Sequence, residues 1–395
     1  MLQNLKNYIS SLSAAKKVVY IITVFLFIAA GTSFSFASYL YFQPIGNISD
    51  KVPSGETVSP LGFFGKAAQE KVESVPDNRT VPSPLNGILY TEEEAKLWQS
   101  RRPMAVMINN HVDARPQWGL SDADIIYEAV AEGGISRFLA IYHSKIPDKV
   151  GPVRSARKYY VDWAKEYDAW YVHWGGASTA NEANVYDYMR KIFVSSIDVP
   201  RIGLGEPFDR DPERLKMVAI EHTSFARLPL VYEAAYRIYP DQVRQLRAIE
   251  SWKFKDDALD DKRPNISSVE FNFWDLPSFM VKWEYDPKTN TYIRFQGGKE
   301  QVDAVINESL RAKNVIVEFT LETALLDEKA HLLYKTLGKG SAKIFFDGKI
   351  IEATWNRSNI DSRTRYFDIN GSEIVFNRGQ TWIEVLPNGN ALTYN

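Results

Sequence analysis

From Val18 to Phe42 the chain reads VVYIITVFLFIAAGTSFSFASYLYF, with no Asp, Glu, Lys, Arg or His. A helix needs about 20 apolar residues to cross the hydrocarbon of a bilayer, so this stretch predicts a transmembrane helix. Lys6, Lys16 and Lys17 precede it, and no positive charge follows until Lys51. That asymmetry predicts a single-pass protein of the cell membrane, with residues 1–17 in the cytoplasm and everything after 42 outside. The competing expectation is a cleaved signal peptide, because Ser35-Phe36-Ala37 offers small residues at suitable spacing. The apolar run exceeds the usual core of about 7–15 residues, which favours a retained signal-anchor. Either way the bulk of the chain is exported.

Export sharpens the meaning of the cysteine count, which is zero. There can be no disulfide, thiolate metal site, cysteine nucleophile or lipidated cysteine, so stability must come from packing. With 395 residues, 45% of them hydrophobic, the chain can bury a core large enough for two domains. A formal net charge of −2 gives no global attraction to nucleic acid, so none is expected as a partner. Any anion site must come from local clustering of Lys and Arg.

Residues 43–86 alternate Pro, Gly and Ser with scattered charge and keep no period, as in PSGETVSPLGFFGK, and are expected to form an extracytoplasmic linker. Thr91 followed by three glutamates predicts a capped helix ending before Pro103. Strand-like runs (MAVMI, ADIIYEAV, RFLAIYHS, AWYVHW) then alternate with helix-like ones, giving an α/β domain over 87–255 that carries an Arg-rich site. The charged stretch DDALDDKRPN marks the boundary, and 265–395 reads as a smaller, mostly-β domain punctuated by Asp347-Gly348, Asn370-Gly371 and Asn388-Gly389 turns. The expected fold is α+β: a mixed α/β N-terminal domain and a β-rich C-terminal domain behind one transmembrane helix. Trp274, Trp283, Trp355 and Trp382 could stack on sugars, but aromatics alternating along strands are more often core.

Chemistry concentrates in the first domain. Arg115, Arg137, Arg154 and Arg157 each lie beside turn or glycine signals. A helix starting near Pro152 would set Arg154 and Arg157 on one face at its positive end, where guanidinium forks and free amides suit an anion. The bland alternative pairs them with nearby carboxylates. Glu128 interrupts an apolar strand and Glu132 ends it, and positions four apart in a strand share a face, so the two could act as acid and base or salt-bridge the arginines. His173, at a strand end before Gly175-Gly176, is the best general-base candidate. The histidines show no compact zinc spacing, so neither metal nor cofactor is expected.

The segments RPMAVMINNH, ARPQWGLSDADIIYEAVAEGGISRFLAIY, VGPVRSAR and VHWGG, followed later by TWNR, DINGSEI and GQTWIEV, resemble the YerB-like family, bacterial lipoprotein-like chains built on a domain of unknown function. The resemblance covers most of the chain and implies an exported, membrane-attached protein, with no activity to carry over. Family members are expected to attach through a lipidated cysteine, which this chain lacks. Asn110, Arg115, Glu128, Glu132, Arg137, Arg154, Arg157 and His173 match the family pattern and are expected to form one site. Asn110 and the four arginines would bind the ligand; Glu128, Glu132 and His173 are the catalytic candidates. The leading expectation is a non-enzymatic protein that binds an anionic cell-wall polymer or precursor, or cell-wall synthesis proteins. The alternative is a glycan or phosphodiester hydrolase or transferase using Glu or His as acid and base.

Overall fold

A computed structural model describes residues 78–395 except 204, 244–245 and 265–267. The expected span at 18–42 and nearly all of the linker lie outside the described residues. Among the described residues no helix is long and apolar enough to cross a membrane.

Counting the strands of the two large sheets, the elements are α1 (Glu92–Gln99), β1 (Met104–Asn109), β2 (Ile125–Glu132), β3 (Ile135–Tyr142), α2 (Lys158–Glu166), β4 (Trp170–His173), α3 (Val185–Lys191), β5 (Ser196–Asp198) and α4 (Leu228–Ile238). They continue with β6 (Ser268–Phe271), β7 (Val281–Asp286), β8 (Thr291–Gln296), β9 (Lys299–Glu300), β10 (Arg311–Ala312), β11 (Asn314–Thr320) and β12 (Gly338–Phe346). Last come β13 (Lys349–Arg357), β14 (Arg365–Asp368), β15 (Thr381–Pro387) and β16 (Leu392–Tyr394). The start of α1 follows its sequence: Thr91 accepts from the Glu94 amide while the Glu94 carboxylate reaches back to the Thr91 amide.

The α/β and β-rich halves follow one another along the chain but meet in a single ten-stranded sheet ordered β14-β13-β12-β11-β15-β2-β3-β1-β4-β5. The join is β15, parallel to β11 on one side and to β2 on the other. A second sheet, β9-β8-β7-β6-β16 with β10 beside β8, belongs to the β-rich half. Side chains of β7 and β8 meet those of β2 and β15: Trp283 lies edge-on to Trp382 at 5.2 Å, and both are fully buried. Trp355 is buried too, so these tryptophans are core rather than a sugar platform, as alternation along strands implies.

Helix α2 is buried nearly all round. Trp163 stacks on Tyr127 of β2 at 5.0 Å, and Glu166 accepts from Arg363 at 2.5 Å and from the Thr364 hydroxyl at 2.8 Å. Two charges of opposite sign, both out of water, thereby tie the helix of one half to the loop of the other.

Candidate functional site

Strands β11, β15, β2, β1, β4 and β5 all run one way, because each antiparallel partner between them restores the direction. Their carboxyl ends share one edge of the sheet, the usual place for ligands in open α/β sheets. Glu132 ends β2, Asn109 ends β1 and His173 ends β4.

Arg154 is carried to this edge by an extended strip, not by a helix. Its N–H donates to Met107 O at 2.9 Å and its carbonyl accepts from the Trp174 amide at 3.0 Å; Val153 and Ala156 bridge to Ile108 and Gly176. Helix α2 begins only at Lys158, with Arg157 as its N-cap. The expected helix from Pro152 is therefore corrected: residues 153–156 satisfy backbone groups against β1, the loop after β4 and Ser224. Residues three apart in such a strip point to opposite sides. Arg154 and Arg157 do not form a helical pair.

Arg157 and Arg137 both donate to Glu132, which is the bland alternative raised by the sequence. Burial alone would raise the Glu132 carboxyl, but Arg137 and then Arg157 hold it down to about 2. Arg137 also donates to Ser155 O at 2.8 Å and is almost fully buried. Both guanidiniums are engaged there, the trio keeps one net positive charge, and Glu132 stays ionised.

Arg154 is different. Half-buried, it makes no hydrogen bond or ion pair through its guanidinium among the described residues, and its nearest opposite charges, Glu221 and Glu132, act only at longer range. Beside this edge the His111 and His222 rings stack at 4.6 Å and 12°. Their tautomers follow from the amide between them. Asn109 Oδ1 accepts from the His111 amide at 3.0 Å, so Asn109 Nδ2 is the group facing His222 Nδ1 at 2.8 Å, and Nδ1 must accept. His111 Nδ1 likewise accepts from the Asp113 amide at 3.2 Å. With Nδ1 accepting, the hydrogen of each ring sits on Nε2. Burial first, then His111 and Arg154, push the His222 pKa below its ordinary value and keep the ring neutral.

Donor atoms of His111, Asp113 and His222 lie within 4.8 Å of one another and could hold a metal ion, a grouping invisible in the sequence because His222 is remote from the other two. The hydrogen bonding fits a cation poorly, since both Nδ1 lone pairs are already used. It suits an anion, which would meet Nε2–H donors. Exposed Glu221 and Asp113 oppose that charge. On the same edge Arg210 lies 4.2 Å above the Trp174 ring and donates to Thr223 Oγ1 at 3.2 Å.

Glu128 belongs elsewhere. Fully buried, it accepts from Asn110 Nδ2 at 2.9 Å, Ser136 Oγ at 2.5 Å, Gln296 Nε2 at 3.2 Å and Arg294. Arg294 also donates to Glu384 at 2.5 Å and to Gln301 at 2.6 Å, with its guanidinium 4.5 Å from the Trp382 ring. Arg115 joins the halves at this network's rim, donating to Asn110 O at 3.2 Å and Ser278 O at 2.9 Å. Burial raises the Glu384 carboxyl to about 8, Arg294 opposes, and Glu128 reinforces it. Its Oε2 has no acceptor role to fill, so a proton held there compensates the second carboxylate.

The expectation that Glu128 and Glu132 share a face is overturned. The register shifts between Val130 and Glu132, and this bulge breaks the alternation, so the two acids have no partner in common. His173 stands apart from the arginines, held by Gly175, Ser196 and, at 3.7 Å, Asp198. The eight expected residues thus fall into three groups rather than one. Arg294 and Glu384 went unnoticed, although Glu384 interrupts the apolar run TWIEVLP just as Glu128 interrupts its own strand.

Two family models match the chain: the N-terminal domain of the protein of unknown function DUF3048 over residues 86–236, and its C-terminal domain over 269–383. The chain belongs to the DUF3048 family. A DUF3048 relative, "Putative lipoprotein YerB" of Bacillus subtilis, is 30% identical over 341 residues, covering 82% of this chain and 92% of that protein. The crystal structure of the YerB protein from Bacillus subtilis superposes with a TM-score of 0.68 at 26% identity, over 80% of this chain and all of that one. Strand β2 falls in the first matched segment, and β15 begins at the end of the second.

Proposed function

We propose that this chain is a single-pass membrane protein, anchored by residues 18–42 and facing outward, that binds a phosphate-bearing cell-wall polymer or its precursor at Arg154, His111 and His222. One observation carries this: in a group of three arginines, two are engaged by Glu132 while Arg154, among the described residues, keeps its five N–H donors unspent at the carboxyl edge of the sheet. The two imidazole Nε2–H groups supply further donors, and the charge of Arg154 is felt at His222. A lipoprotein name on a relative supports membrane attachment, which here falls to the apolar span because cysteine is absent.

Acid–base work by the glutamates finds no support. Glu132, held at about 2, has no proton to give near neutrality, and Glu128 is sealed under Arg294.

The test is co-sedimentation of the detergent-solubilised full chain with purified cell walls, before and after chemical removal of their phosphodiester polymers. Binding that falls with added salt and vanishes on stripped walls is expected. Undiminished binding to stripped walls would reject a phosphate ligand.

A further inference from the structure

His173 and Ser196 form a second arrangement that does not touch Arg154. They sit on neighbouring parallel strands, His173 closing β4 and Ser196 opening β5. His173 Nδ1 lies 2.7 Å from Gly175 O. A carbonyl only accepts, so Nδ1 carries the hydrogen and Nε2 keeps its lone pair. Ser196 Oγ, 2.6 Å from Nε2, must then donate its hydroxyl proton toward it. That is the hydrogen-bond direction a serine nucleophile needs.

The base is oriented from behind. Asp198 Oδ1 lies 3.7 Å from His173 Nδ1 and is itself fixed by the Gly175 amide at 2.9 Å and the Tyr186 hydroxyl at 3.0 Å. His173 and Asp198 are buried, so an imidazolium formed between Ser196 and Asp198 would feel that carboxylate with little screening. Ser196 is also pinned through its backbone, the amide donating to Tyr239 OH at 3.1 Å and the carbonyl accepting from it at 2.8 Å. Burial pushes His173 below its ordinary 6.5, opposed by Asp198, which leaves the ring neutral around pH 7 with its Nε2 lone pair free to accept.

Access separates this trio from a histidine that merely caps a loop. Half-buried Ser196 lines a pocket of about 630 Å³ together with Tyr186, Met189, Val194, Tyr239 and two arginines, Arg190, which pairs with Asp187, and Arg201. Arg201 makes no hydrogen bond or ion pair among the described residues. The walls suit an apolar group; the free guanidinium suits a negatively charged substituent.

We propose that Ser196 is the nucleophile of an esterase site, with His173 as general base and Asp198 as its positioning residue, acting on carboxylic esters that pair an apolar acyl chain with an anionic group. Ser196 Oγ attacks the ester carbonyl carbon as its proton passes to His173 Nε2. The bond to the leaving alkoxide breaks, and that oxygen takes the proton from Nε2 and departs as an alcohol. Water then attacks the acyl-serine, giving one proton to Nε2; the carboxylic acid leaves and Ser196 recovers its proton.

The experiment is active-site labelling of the full chain in detergent with a fluorophosphonate probe, followed by peptide mapping. An adduct on Ser196 is expected, together with hydrolysis of p-nitrophenyl butyrate that drops at least about 100-fold in Ser196→Ala. Labelling should persist further into acid than an ordinary imidazole base would allow, because burial lowers the pKa of His173 below its usual value. The parent map decides even if the variant fails to fold. No adduct on Ser196 after exhaustive exposure, or labelling and hydrolysis unchanged in a folded Ser196→Ala, would overturn the assignment while leaving the Arg154 reading standing.

Discussion

Arg154 and Arg157 are three residues apart in VRSAR and have opposite fates, because one meets a carboxylate and the other does not. Arg157→Ala should leave Glu132 with Arg137 alone and reduce stability by about 1–3 kcal/mol, measured by denaturant unfolding. Arg154→Ala removes no partner and should leave the melting temperature within about 2 °C of the parent. Glu221→Gln takes away an opposing charge near Arg154 and should tighten anion binding several-fold at low salt, read by titration with inorganic phosphate. Glu384 gives a pH signature. Its folded pKa of about 8 lies above the ordinary 4.5, so between those values the folded state holds the extra proton. Stability from this group is complete below about 4.5 and is lost as pH rises through 8. Glu384→Gln keeps a neutral donor toward Glu128, and unfolding measured at pH 5 to 8 should decline less steeply than in the parent.

What the sequence disclosed at the level of elements was the existence of strands and helices more than their ends. The capped helix at Thr91, the run of Glu128's strand and the β-rich second half were legible from local pattern. The start of α2 was not, because the strip from Val153 to Ala156 is held extended by hydrogen bonds to β1, to the loop after β4 and to Ser224, none of them local in sequence. The bulge before Glu132 was also hidden, and it alone decides that Glu132 meets Arg137 and Arg157 instead of Glu128's partners. The place of β15 carries its own prediction. Wedged between β11 and β2, it supplies backbone hydrogen bonds on both edges, so a chain ending at Gly379 should expose two unpaired strands and fail to fold cooperatively. Loss of a sigmoidal thermal transition in that truncation would bear this out; a sharp, parent-like transition would refute it.

For the described residues as a whole, the two halves share a sheet and bury charges against each other, with Glu128 and Glu384 on Arg294 and Glu166 on Arg363. Neither half expressed alone could cover those ions, so residues 78–395 should unfold in one transition. The candidate site inherits its geometry from this body: a pair of imidazoles and one unspent guanidinium fixed at the carboxyl edge. The most direct test of that site is the salt dependence of binding to a soluble phosphodiester wall polymer, compared between the full-length parent and Arg154→Ala. Parent affinity should fall with salt, and the variant should bind at least about 10-fold more weakly with a logarithmic salt slope shallower by about one charge. Equal affinity and equal slope in the two proteins would contradict the assignment of Arg154 as the anion's ligand.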